Sequence, residues 1–216
     1  MWNNWILRWE KTARAIKELG GESNGLHVGR PASEEHIIEA EERLGYRLPE
    51  SFRDVLLNFA GSLDFRWALN DCIDLPEVLR GIFAGECTWS LKNLIEIDEE
   101  CQGWVNDCFP DPDNEYDRVW HNKLAFMCVG NGDKIAFDLE KYPEYTPVVY
   151  LSHDDGEGHG YILGSDFKDF LDKWTLIGCP GTEDWQWIPF VDSSKSGINP
   201  NSENAIIWKK LMGLDF

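Results

Sequence analysis

The chain has 216 residues, 43% of them hydrophobic, with eleven Trp, and 39 Asp and Glu against 20 Lys and Arg give it a formal charge of −19. That is enough apolar material for one packed domain, or one domain with an appendage, without a disulfide or metal staple, and it lies outside the composition of disordered chains. The charge repels phosphate backbones and anionic membranes, which argues against nucleic acid as a direct ligand; it attracts basic proteins, and it also serves plain solubility.

Residues 2–19 set Trp2, Trp5, Ile6, Trp9, Ala13, Ile16 and Leu19 at helical spacing before Gly20-Gly21, which predicts an amphipathic helix, its Trp side chains docked on the core or offered to a partner. Arg8 and Glu10 interrupt this opening, so it lacks the order of a signal peptide, and no apolar run nears a membrane span; a cytoplasmic protein is expected. A second helix starts after Ser33 with Glu34 and Glu35 in its first turn and closes at Gly45, and a third starts at Pro49 and runs through Phe52, Val55, Leu56 and Phe59 to Gly61. Strands are expected over 64–69 and 87–89, followed by a helix of about 15 residues capped by Ser90. Residues 124–129 and 134–138 flank Gly130-Asn131-Gly132-Asp133, a β-hairpin with Asn-Gly in its turn, and 147–151 reads as a third strand of that antiparallel sheet. Ser165 is the expected cap of a helix carrying Phe167, Phe170, Leu171 and Trp174. Residues 178–200 read as a long loop or short irregular strands, and a last helix over 201–212 carries Ile206, Ile207, Leu211 and Met212. The six cysteines form no C-x-x-C pair, so reduced core residues are expected rather than a zinc ribbon or a dithiol motif.

The stretch 33–61, two helices joined by Gly45-x-x-Leu48-Pro49 with Phe52 and Gly61 in place, resembles the opening of the SUKH superfamily of Smi/Knr-like proteins. The Gly130–Asp133 turn, Asp138, Pro147-Val148 and His153-Asp154 resemble its second half. The resemblance assigns 31–176 to a SUKH domain, with 1–30 as an N-terminal amphipathic helix extension and 177–216 as a C-terminal loop and helix extension packed on the domain. It implies an α+β fold, a mostly antiparallel β-sheet surrounded by helices. It also implies a bacterial immunity protein that neutralises a polymorphic toxin, often a nuclease, or, as in fungal relatives, a regulatory scaffold of cell-wall synthesis. The motif residues have structural explanations: Gly45 closes a helix, Leu48 and Phe52 are apolar core residues, Pro49 starts a helix and Gly61 ends one.

Two clusters are candidates for chemistry. The segment 153–159 holds His153, Asp154, Asp155, Glu157 and His159, which are acceptable zinc or manganese ligands, but the spacing matches no metalloprotease or structural zinc pattern and the glycines suggest flexibility; a solvated loop at a partner interface is the competing reading. If it binds a toxin, its histidines make affinity sensitive to mild acid. Asp111, Asp113, Glu115 and Asp117 alternate like the first ligands of a calcium loop, yet Tyr116 stands at the sixth position, where an EF-hand has Gly, and Asn122 at the twelfth, where it has Glu. A solvated acidic loop that mimics phosphates toward a basic partner fits better. No G-x-S-x-G elbow or phosphate cradle is present, no spacing supports a Cys nucleophile, and Trp185 and Trp187 are candidates for stacking or for packing of the tail. The expectation is therefore binding without catalysis or cofactor. Asp111, Asp113, Glu115, Asp117, Asp154, Asp155 and Glu157 face a cognate toxin, in particular a basic nuclease domain, with a metal-dependent hydrolase built on His153, Asp154 and His159 as the competing enzyme reading.

Overall fold

The computed structural model describes residues 1–216. Helix α1 (Trp2–Glu18) buries Trp5 and Trp9 completely, and Gly20, at φ 78°, turns the chain into β1 (Glu22–Val28). Periodicity does not mark β1. It is an edge strand, polar, with Gly25 at φ 77° beside a bulge, and so lacks the alternation of a half-buried strand. In α2 (Glu34–Leu44) the Ser33 hydroxyl accepts the His36 N–H at 3.3 Å, and Gly45 adopts the left-handed φ of 82° that only a residue without Cβ takes freely. Pro49 caps α3 (Glu50–Asn58). The Glu41 carboxylate accepts the Leu48 N–H at 3.0 Å and Arg53 Nε at 3.2 Å, which pins the helical hairpin at its turn.

Gly61 does not end α3, which is capped by Phe59. It gives room to the chain leaving β1: a Cβ there would stand 3.0 Å from the Arg30 carbonyl and 3.2 Å from the Ala32 nitrogen, a tight contact. β2 (Ser62–Ala68) and β3 (Ala84–Ser90) complete a three-stranded antiparallel sheet in the order β1-β2-β3, with Leu63, Phe65, Trp67, Cys87 and Trp89 buried on one face. The Ser90 side chain caps no helix: Ser90 is still paired opposite Ser62, the Leu91 N–H goes to the Gly61 carbonyl, and a 3-10 turn (Leu91–Asn93) precedes α4 (Leu94–Asp107).

After the short α5 (Asp117–Trp120), β4 (Lys123–Cys128), β5 (Lys134–Asp138), β6 (Val148–Leu151) and β7 (Ile162–Gly164) form a second antiparallel sheet in chain order. Gly132, at φ 109°, supplies the turn between β4 and β5. The α+β class is as expected, with the strands divided between two sheets. α6 (Phe167–Leu176) is capped by Asp166 rather than Ser165: Asp166 accepts the Asp169 N–H at 2.9 Å, while Asp169 accepts the Ser165 N–H at 2.8 Å, so Ser165 lies one residue before the cap. Residues 178–200 contain α7 (Asp184–Trp187) and a 3-10 turn (Ile188–Phe190), so they are less irregular than their composition suggests, and the expected last helix follows as α8 (Glu203–Leu211). Trp208 anchors α8 by donating Nε1–H to the Ile177 carbonyl at 2.9 Å, and Met212 is buried, whereas Ile206, Ile207 and Leu211 are exposed. Cys87, Cys101 and Cys179 are core residues; Cys72 and Cys108 are exposed. No helix is long and apolar enough to cross a membrane.

The core centre is aromatic. Phe52 of α3, Phe126 and Phe137 of the second sheet and Phe167 of α6 lie 4.7–6.0 Å apart by ring centroid. Trp9 of α1 stacks on Phe59 at 6.2 Å and donates to Cys179 Sγ at 3.2 Å, so segments far apart in the chain share one interior. Trp9→Ala is therefore expected to cost about 3–5 kcal/mol in guanidinium unfolding; a loss below about 1 kcal/mol would make α1 dispensable to the fold.

Candidate partner-binding face

The acidic loops at 110–117 and 153–159 meet through Tyr116. Its hydroxyl donates to the Ser152 carbonyl at 2.5 Å and accepts the Asp155 N–H at 3.1 Å, and its ring stacks on His159 at 3.9 Å. Trp120 donates Nε1–H to the same Ser152 carbonyl at 3.1 Å. His159 is locked from both sides: Nδ1 accepts the Ser152 N–H at 3.0 Å, so Nε2 carries the proton and donates to the Tyr116 carbonyl at 3.1 Å.

The carboxylates of the first loop do not gather around a cation position. Asp111 accepts the Asp113 N–H at 3.0 Å and Asp117 accepts the Asp111 N–H at 3.2 Å, so both brace the turn that leads into α5. Asp111, Asp113 and Glu115 are exposed and Asp117 is half-buried; Asp154, Asp155 and Glu157 of the second loop are all exposed.

The second loop is not the flexible segment its glycines suggest. A Cβ on Gly158 would stand 2.7 Å from Asp184 and Trp187, and one on Gly156 2.7 Å from Ser152 Oγ and Asp184. These glycines permit close packing, and the Gly158 N–H donates to Asp184 Oδ2 at 2.9 Å. Beneath lies Asp133, 1% exposed, which accepts from Tyr150 Oη at 2.6 Å, Asn131 Nδ2 at 2.8 Å, and the His153 backbone N–H and Nδ1 at 2.8 and 2.6 Å. Burial pushes the Asp133 carboxyl up, but the donors Tyr150, His153 and Asn131 together outweigh it and hold it below the usual carboxylate range. Burial, and then the Asp133 charge, push the Tyr150 hydroxyl far up, so it stays a donor.

Asp133, His153 and Asp154 bring ligand atoms within 4.8 Å of one another, while His159 is turned away to Ser152 and Tyr116. The constellation His153, Asp154, His159 is thus not assembled. Both Asp133 oxygens are already occupied by donors, which a cation would have to displace. Sequence reasoning missed Asp133 and Tyr116, because an Asp after Asn-Gly reads as a turn residue and a Tyr among carboxylates reads as loop.

Trp185 is 47% exposed and lines a hollow of about 360 Å³ with Asp154, Glu157 and Asp184. Trp187 is buried and donates to the Thr182 carbonyl at 3.2 Å, so it packs the tail and offers no stacking surface. An opening of about 760 Å³ lies along the first sheet, where Arg66 sits between Asp64 at 3.2 Å and Glu86 at 3.1 Å and pairs with both.

Burial holds the His159 imidazole below its ordinary value, and the Tyr116 carbonyl only partly opposes this. The folded protein favours neutral His159, so its contribution to stability is present above the unfolded value of about 6.5 and is lost as pH falls. Urea unfolding free energies of the parent and of His159→Gln should therefore converge between about pH 7.5 and 5.5; a constant gap would mean that His159 does not titrate between the folded and unfolded states.

In comparisons with known proteins, the model of the SMI1 / KNR4 family (SUKH-1) matches residues 31–173. No curated protein and no solved structure matches the chain significantly.

Proposed function

The chain belongs to the SMI1 / KNR4 family (SUKH-1), and from that premise we propose that it is an immunity protein that binds a cognate polymorphic toxin, a basic nuclease domain, and blocks its substrate site. The observation that carries this reading is the joining of two acidic loops through Tyr116, with Asp111, Asp113 and Glu115 exposed on one and Asp154, Asp155 and Glu157 on the other. A nuclease that binds phosphates presents cations at its active site, and exposed carboxylates carried on an ordered backbone compete for them. Trp185, beside Asp154 and Glu157, adds the aromatic anchor that area and charge alone do not provide. No bond is made or broken on this chain in the process; inhibition is occupancy.

The charge of −19 speeds encounter, and the anchor sets how long the complex lasts. The test uses the protein as bait in its native cell, with elution in high salt. Recovery of one basic toxin domain whose activity this protein blocks supports the reading, and a wall-synthesis or signalling enzyme in its place moves the function to a scaffold. With the toxin in hand, Asp113→Asn, Glu115→Gln, Asp154→Asn and Glu157→Gln combined should slow association about tenfold at low salt. Trp185→Ala should instead raise the dissociation rate about tenfold or more. An affinity indifferent to ionic strength would sink the electrostatic part of the proposal.

A further inference from the structure

Cations packed into this acidic molecule generally meet carboxylates: Arg53 lies between Glu34 and Glu41, Lys123 pairs with Asp138 at 3.0 Å, and Lys173 pairs with Asp169 at 2.8 Å. Exposed cations without a carboxylate partner are common on this surface, Arg14, Lys17, Arg47, Arg118, Lys141 and Lys195 among them, and one depression gathers several. An opening of about 590 Å³ between α2, the Gly61 turn and the start of α4 is lined by Arg30, Arg43 and Lys92 together with His36. Arg30 and Lys92 make no ion pair or side-chain hydrogen bond, Arg43 only approaches Glu99 at 3.9 Å, and Glu39 is the one acidic residue in the lining.

Three separate chain segments thus bring like charges to one concavity whose lining holds a single carboxylate, Glu39. Like charges so gathered repel, and a bound anion reverses that sign. α4 begins at the same opening with no side chain capping it, so its dipole adds to the positive field. The overall charge keeps polyanions away at long range, but ionic screening over about 8 Å leaves the local cations to govern a small ligand at contact. Leu91 and Ile95 supply an apolar wall, and the volume is that of a small-molecule site.

We propose that this opening binds the phosphate of a small molecule, with Arg30 and Arg43 as planar forks on its oxygens and Lys92 as a point charge. The site shares no lining residue with the hollow beside Trp185 and stands or falls apart from the immunity reading.

The experiment is calorimetric titration of the full chain with inorganic phosphate, pyrophosphate and ADP at about 0.15 M salt. Saturable single-site binding of at least one probe is expected. Arg30→Gln and Lys92→Gln should each weaken it about tenfold, Glu39→Gln should tighten it, and Lys210→Gln, which removes an exposed cation on α8, should leave it unchanged. ADP binding tighter than phosphate assigns a phosphorylated organic ligand; equal binding assigns free phosphate, and either supports the site. No binding of any probe up to about 5 mM, or an equal loss in Lys210→Gln, overturns it. Circular dichroism of each variant checks the fold, and the gain expected in Glu39→Gln cannot come from unfolding.

Discussion

An ionised carboxylate in an apolar interior has to be surrounded by donors, and Asp133 meets that constraint at the point on which the acidic face depends. Taking such a charge out of water costs several kcal/mol, which only a full set of charge-assisted hydrogen bonds offsets. Asn131 belongs to the β4–β5 turn, Tyr150 to β6 and His153 to the loop that follows, so one charge ties the hairpin, its neighbouring strand and the acidic loop together. Ser152, next to His153, is in turn the atom group onto which Tyr116, Trp120 and His159 converge.

The consequence is an acidic face on a rigid base. Asp155 sits at φ 62°, a conformation Asp tolerates better than most residues, and its N–H is held by Tyr116. Side chains of exposed carboxylates keep their rotamer freedom, but the backbone beneath them is already ordered, so docking a partner there loses little main-chain entropy. That division of labour, ordered backbone and free carboxylates, suits recognition by charge.

Charge is distributed with two signs in mind. Carboxylates outnumber cations overall, yet Arg30, Arg43 and Lys92 stand together without firm partners while Arg66 is held by Asp64 and Glu86. Local composition of a concavity, rather than the net charge of the chain, decides which ligand it attracts at contact.

The sequence by itself determined the features that depend on a few neighbouring residues. Among them are the helical stripe of α1, the α2–α3 hairpin with Gly45 at its turn, and the Asn-Gly hairpin between β4 and β5, together with the α+β class those elements imply. Capping was legible only in part: Ser33 caps α2, but β3 pairing claims Ser90, and Asp166 displaces Ser165. Tertiary structure alone decided that the polar β1 is a strand, since its partner β2 lies about 40 residues away and supplies the hydrogen bonds its own side chains do not call for. It alone decided that Gly61 and Gly158 answer to close approach by distant chain, that Trp187 is interior while Trp185 is not, and that Asp133 lies beneath the two acidic loops joined through Tyr116. Conformational preference acts over a few residues, whereas burial and hydrogen-bond satisfaction are settled only when the whole chain has packed.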